Sequence, residues 1–180
     1  MKNNKGFTLV ELLAMLVVLG VLIGISVPNI TGILNQQKEN AYIDDATKVI
    51  NTAQMKLSTE RKIKRPADGN CIVFSLNYLD KASELKKSAT GGEYIRKESY
   101  VIVRRNGQKI EYTIRLIEKT ATGDVYGIEG ATLQDLANAG TANLGDTDVD
   151  GIDIETATSE SLETIEPFVS MCSAIEAVYN

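Results

Sequence analysis

Phe7-Thr8-Leu9-Val10-Glu11-Leu12 leads into an apolar run from Leu12 to Val27, broken only by the small residues Ala14, Gly20, Gly24 and Ser26. At the rise of an α-helix, Phe7 to Val27 spans about 31 Å, enough to cross a hydrocarbon core. The six residues before it, Met1-Lys2-Asn3-Asn4-Lys5-Gly6, are short and basic. Lys2 and Lys5 therefore predict a cytoplasmic N-terminus.

A cleavable secretory signal peptide is the plain alternative, and Gly24-Ile25-Ser26 offers a small-x-small cut site. Two features weigh against it. Glu11 places a carboxylate inside the run, at a cost of about 2.5–3.5 kcal/mol at membrane depth, which a disposable leader has no use for. The helical pattern also continues some thirty residues past Ser26.

The string Lys5-Gly6-Phe7-Thr8-Leu9-Val10-Glu11-Leu12 resembles the class III signal of type IV prepilins and pseudopilins. The resemblance is tight over roughly the first thirty residues and architectural beyond them. It implies cleavage between Gly6 and Phe7 by a membrane prepilin peptidase, with N-methylation of the new Phe7 amine. The cut precedes the apolar run, so the subunit keeps its membrane helix. Loss of Lys2 and Lys5 takes the formal charge from −5 to −7. Glu11 then has an assembly role, meeting the N-terminal amine of a neighbouring subunit; snorkelling to the interface is the bland alternative. The resemblance further implies that the helix segment holding Gly20, Gly24 and Pro28, at four-residue spacing, can melt in a filament; weak helix formers and a proline make that cheap. A Gly20–Gly24 contact face is the weaker reading of the same pair.

Past Pro28 the helical period persists. Ile43, Ala46, Ile50, Ala53 and Leu57 form one apolar stripe, with charged residues on the other faces. One helix is expected from Phe7 to about Glu60, its second half packed on a domain. Arg61-Lys62-Ile63-Lys64-Arg65 closes it before Pro66. Those cations complement the negative end of the helix dipole, or else meet a polyanion.

Beyond Pro66 the period changes to alternation. Cys71–Leu76 reads as a strand, Asp80–Gly92 as a loop with a short helix, and Tyr100–Arg104 with Ile110–Ile117 as a hairpin turning at Asn106-Gly107. Val125–Ile128 adds a further strand, and Leu162, Ile165, Phe168, Val169, Cys172 and Ile175 return to helical spacing, with Pro167 at a start or kink. A long helix followed by an antiparallel sheet is an α+β fold, pilin-like in outline. The expected organisation is a leader over 1–6, a transmembrane and filament-core helix over 7–28, and an extracytoplasmic globular domain over 29–180.

Asp146, Asp148, Asp150 and Asp153, with Gly151, resemble the first half of an EF-hand calcium loop. Ala157 stands where the bidentate glutamate belongs, so a solvated acidic loop is the preferred reading, and no cofactor is expected. Cys71 and Cys172 lie on the extracytoplasmic part, where disulfides persist. A bond and two buried thiols both remain open, since the pilin disulfide usually closes a much shorter loop.

The 180 residues contain no histidine and no recognisable nucleophile–base pair, which argues against an enzyme. A net charge of −5 argues against broad nucleic-acid binding. The expected function is a structural pilin, major or minor. It starts as a single-pass precursor in the cytoplasmic membrane and ends in a cell-surface, periplasmic or wall-spanning filament. The alternative is a pseudopilin of a type II secretion or competence machine, binding DNA through Arg61–Arg65 and Arg104-Arg105…Lys109. The expected partners are other pilin subunits and the processing peptidase, with an assembly platform and motor ATPase implied by the resemblance.

Overall fold

A computed structural model describes residues 8–83, 85, 87–88, 91–138, 144–146 and 152–180; the side chains of 23–35, 80–83, 144 and 146 are not described. The chain divides into two compact units between Lys38 and Glu39. Helix α1, Leu9–Thr59, contributes to both.

In the first unit, the helix exposes apolar side chains from Leu9 to Leu22 in every direction, from 53% at Leu19 to 80% at Leu9. An apolar stretch without a polar face is not built to rest on a water-soluble core. Among the described residues no helix is long and apolar enough to cross a membrane. The expected span continues into residues whose side chains are not described.

The second unit is α+β. Helix α1 lays Tyr42, Ala46, Val49, Ile50, Ala53 and Leu57 against a seven-stranded mixed sheet. The strands are β1 (Cys71–Ser75), β2 (Glu93–Tyr94), β3 (Tyr100–Asn106), β4 (Lys109–Lys119), β5 (Val125–Thr132), β6 (Leu144–Asp146) and β7 (Ile175–Tyr179). Their order is β6-β5-β4-β3-β1-β7, with β2 beside β4. All pairings are antiparallel except β1 with β7.

Side chains alternate between the two sheet faces. Ile72, Phe74, Val101, Val103, Ile114 and Leu116 meet the helix. Cys71, Val73, Tyr100, Ile102 and Ile175 meet a second layer made by Ile152, Ile154, Leu162 and Phe168. A strand covered on both faces needs no polar side, which explains the unbroken Cys-Ile-Val-Phe of β1.

Four expectations are revised. Strand β1 stops at Ser75 rather than Leu76, because the Ser75 hydroxyl accepts the Tyr78 amide at 3.2 Å and starts helix α2, Leu76–Ser83. The expected loop is therefore helical in its first part. The β3–β4 turn is Gly107-Gln108, since Asn106 still pairs with Lys109. Gly107, at φ +62°, supplies the left-handed backbone. Helix α3, Leu133–Ala137, follows β5, and the last apolar stretch is not one helix: α4 (Ser159–Leu162) and α5 (Phe168–Met171) bracket Pro167, which cannot donate within a continuous helix. Ile175–Tyr179 then takes the open edge of β1 as a strand. Finally, Ile43 is only partly buried, and Tyr42 and Val49 carry the stripe with its other members.

Candidate processing and assembly segment

Helix α1 begins with a reciprocal cap. The Thr8 amide and hydroxyl both donate to Glu11 Oε2, at 2.9 and 2.7 Å, and the Glu11 amide donates to Thr8 Oγ1 at 3.3 Å. Threonine at the cap and glutamate three residues on satisfy two otherwise orphaned donors. The negative carboxylate also suits the positive end of the helix dipole. One oxygen, Oε2, takes both bonds from Thr8; Oε1 has no partner among the described residues. Glu11 thus has a structural use inside its own chain and an acceptor left over. The reading of Glu11 as an assembly residue did not include the cap. Its signal, Thr-x-x-Glu before an apolar run, was present in the sequence.

Gly20 lies within the helix, and a Cβ built there meets nothing within 4 Å. Packing inside the described unit therefore does not require glycine at this position. Gly24 and Pro28 also fall within the helical backbone. Gly6 and Phe7 lie outside the described residues.

A capped helix start, a carboxylate in its first turn and an all-round apolar surface make a specific combination. Residues 1–27 match the prokaryotic N-terminal methylation motif. This motif is the class III signal peptide of type IV pilins and pseudopilins. It supports a type IV pilin-like or pseudopilin protein and implies processing by prepilin peptidase and assembly into filaments of pilin subunits. It fits a membrane-anchored precursor exported to a surface filament. No curated protein and no solved structure matches the chain. The methylation motif covers the N-terminal segment, and the helix packed on a mixed sheet is consistent with the pilin fold.

The structure joins Cys71 to Cys172 as a disulfide, with their Cα atoms 5.6 Å apart. It ties the start of β1 to the end of α5, so the second layer is fastened to the sheet. The calcium reading falls mostly elsewhere: Asp148 and Asp150 lie outside the described residues, and Asp146 ends β6. Asp153 Oδ1 accepts the Glu155 amide at 3.1 Å, a local turn contact. Among the described residues no group of acidic, cysteine or histidine side chains is placed to hold a metal.

The segment that follows the first basic cluster pairs with the strand that carries the second. Gly69 N donates to Arg105 O at 2.9 Å, Arg105 N to Asn70 O at 3.2 Å, and Gly107 N to Asp68 Oδ1 at 2.6 Å. Burial pushes the Tyr112 phenol up, and the positive charge of Arg65 opposes that rise, so Arg65 also lies close to β4.

Proposed function

We propose that this chain is a structural subunit, a major or minor pilin, of a type IV pilus-like filament. It is made as a precursor, cut between Gly6 and Phe7, methylated at Phe7 and held in the cytoplasmic membrane by residues 7–28 until assembly. The observation that carries this reading is the apolar surface exposed all round α1 from Leu9 to Leu22, within the methylation motif. A surface of that kind is stable only against lipid or other apolar helices. In a filament the same helices pack on one another, and the second unit keeps a core of its own. The chain does no chemistry of its own: without histidine it lacks the commonest general base.

Intact-mass analysis of the membrane and sheared-filament fractions tests the proposal. The expected mass is that of a chain starting at methylated Phe7. A chain starting near Val27 would restore the signal-peptide reading. A pseudopilin of a secretion or competence machine would share the same cleavage, so electron microscopy of an overexpressing strain separates the two. Long surface fibres support the pilin, and none supports the pseudopilin.

A further inference from the structure

Every lysine and arginine of this chain lies at or before Lys119, whereas twelve of its 24 acidic residues follow it. The fold converts that asymmetry into two surfaces. The acidic stretch from Ile152 to Met171 covers the sheet face away from α1, anchored by Ile154, Leu162 and Phe168 and by the disulfide. Its carboxylates at Glu155, Glu160, Glu163 and Glu166 remain exposed. The basic surface is at the end of the sheet where β1 begins. There the connection after α1 pairs with β3 through Gly69, Asn70 and Arg105, and in the same connection Arg61, Lys62, Lys64 and Arg65 stand exposed. Among the described residues no ion pair joins the two surfaces.

We infer that the basic connection Arg61–Arg65 of one subunit docks on the acidic layer around Glu160 and Glu166 of a second copy. The inference rests on the filament reading and specifies the contact between its outer units. Charge complementarity selects this occupant. The acidic partner is present in equal number on every copy, whereas an extended polyanion would face a subunit whose net charge is −5 before cleavage and −7 after the loss of Lys2 and Lys5. Because the two patches differ, the contact is head-to-tail, the kind that propagates into an open helical array instead of closing as a dimer. Apolar N-terminal helices hold subunits together without fixing their register; opposite charges supply register and partner choice.

The test uses the full chain with two charge reversals, R61E/K62E/K64E and E160K/E166K. All five side chains are exposed. R61Q/K62Q/K64Q serves as a milder companion, and far-UV circular dichroism checks each fold. Each reversal alone should lower sheared-filament yield at least tenfold, and co-expression of the two should restore it, because the reversed surfaces complement each other. In detergent, the wild-type chain should self-associate at low salt and separate as salt screens the contact. Each reversal should abolish this, and mixing the two should recover it. Wild-type yield and association from either reversal, or no recovery on mixing, would overturn the contact. Intact filaments that lose salt-sensitive DNA retention only in R61E/K62E/K64E would overturn it too, and give the patch to nucleic acid. If the wild-type chain forms no filaments, the filament reading falls, and the detergent measurement still decides the contact.

Discussion

Tyr42 on helix α1 donates its phenol to the carbonyl of Leu116 on strand β4 at 2.9 Å, across 74 residues of sequence. The ring is fully buried and meets Tyr94 and Tyr126 at centroid distances of 5.7 and 6.0 Å. One residue therefore fixes helix to sheet by both packing and polarity. Tyr42→Phe keeps the ring and removes the donor. It should destabilise the second unit by about 1–2 kcal/mol, while Tyr42→Ala should cost about 3–5 kcal/mol. Denaturant unfolding of the two variants measures both.

Alkaline pH should undo the same cluster. Desolvation raises the Tyr42 and Tyr94 phenols well above their ordinary value, with Asp45 and Glu118 adding to the effect. Desolvation also lifts Tyr78, to about 12, helped by its hydrogen bond to Glu60. A folded pKa above the unfolded value of about 10 means the folded form holds its proton longer. The stability is fully present below pH 10 and falls as pH climbs past it; for Tyr78 the fall is complete near 12. Unfolding curves between pH 8 and 12 should show the decline beginning near 10, and Tyr42→Phe should flatten it. A flat wild-type profile would contradict the burial of these rings.

Reduction of the Cys71–Cys172 bond should cost about 2–5 kcal/mol, as expected for a bond closing a long loop. The lost protection should concentrate in the layer around Leu162 and Phe168, which the bond fastens to β1. Hydrogen exchange with and without reductant locates it. Equal loss across α1 and the second layer would show that the bond acts on the whole unit instead.

Two glycines of β5 should respond differently. A Cβ at Gly127 would sit 2.2 Å from the Leu116 carbonyl oxygen and 2.8 Å from Ile117 Cα, both backbone atoms of β4. Gly127→Ala should cost about 1–3 kcal/mol or force β5 away from β4. Gly130 has φ +66° and open space around it, so only conformational strain opposes a side chain. Gly130→Asn should cost less than about 1 kcal/mol, because asparagine tolerates that region. Melting temperatures of the pair check the order.

Glu11 requires variants that separate its cap from its charge. Glu11→Gln keeps an acceptor for Thr8 and removes the charge, whereas Thr8→Ala removes the cap and keeps the carboxylate. If the charge serves assembly, Glu11→Gln should insert in the membrane normally yet enter filaments poorly, and Thr8→Ala should assemble nearly as the wild type does. The reverse pattern in filament yield would make Glu11 a helix cap only.

Local chemistry explains which parts of the fold were legible in the sequence. The α1 stripe repeats a helical period, and β1 and β3 are short runs of β-branched and aromatic residues; neither signal needs knowledge of partners. The helix start is legible too, since Thr8-x-x-Glu11 before an apolar run is a capping box, but the same glutamate reads equally as a membrane carboxylate. Strand β7 was hidden for a different reason. Ile175 continues the 3–4 spacing of Leu162, Ile165, Phe168 and Cys172, and only the vacant edge of β1, a hundred residues upstream, makes extension the better choice. The joining of Cys71 to Cys172 and the pairing of Gly69 and Asn70 with Arg105 are likewise products of tertiary structure, invisible to any window of sequence.

Parallel pairing of β1 with β7 also sets a timetable. A chain threaded outward from its N-terminus delivers β1 early, but the strand that covers its edge arrives about a hundred residues later, as does the sulfur that locks it. During that interval the nascent strand presents unpaired amides and carbonyls to whatever surrounds the exit of the translocation channel. In the exported subunit proposed above, the sheet can be completed only after its last strand has crossed the membrane. A holding chaperone or a thiol oxidase acting outside the membrane would govern how many copies arrive sound, before any question of polymerisation arises.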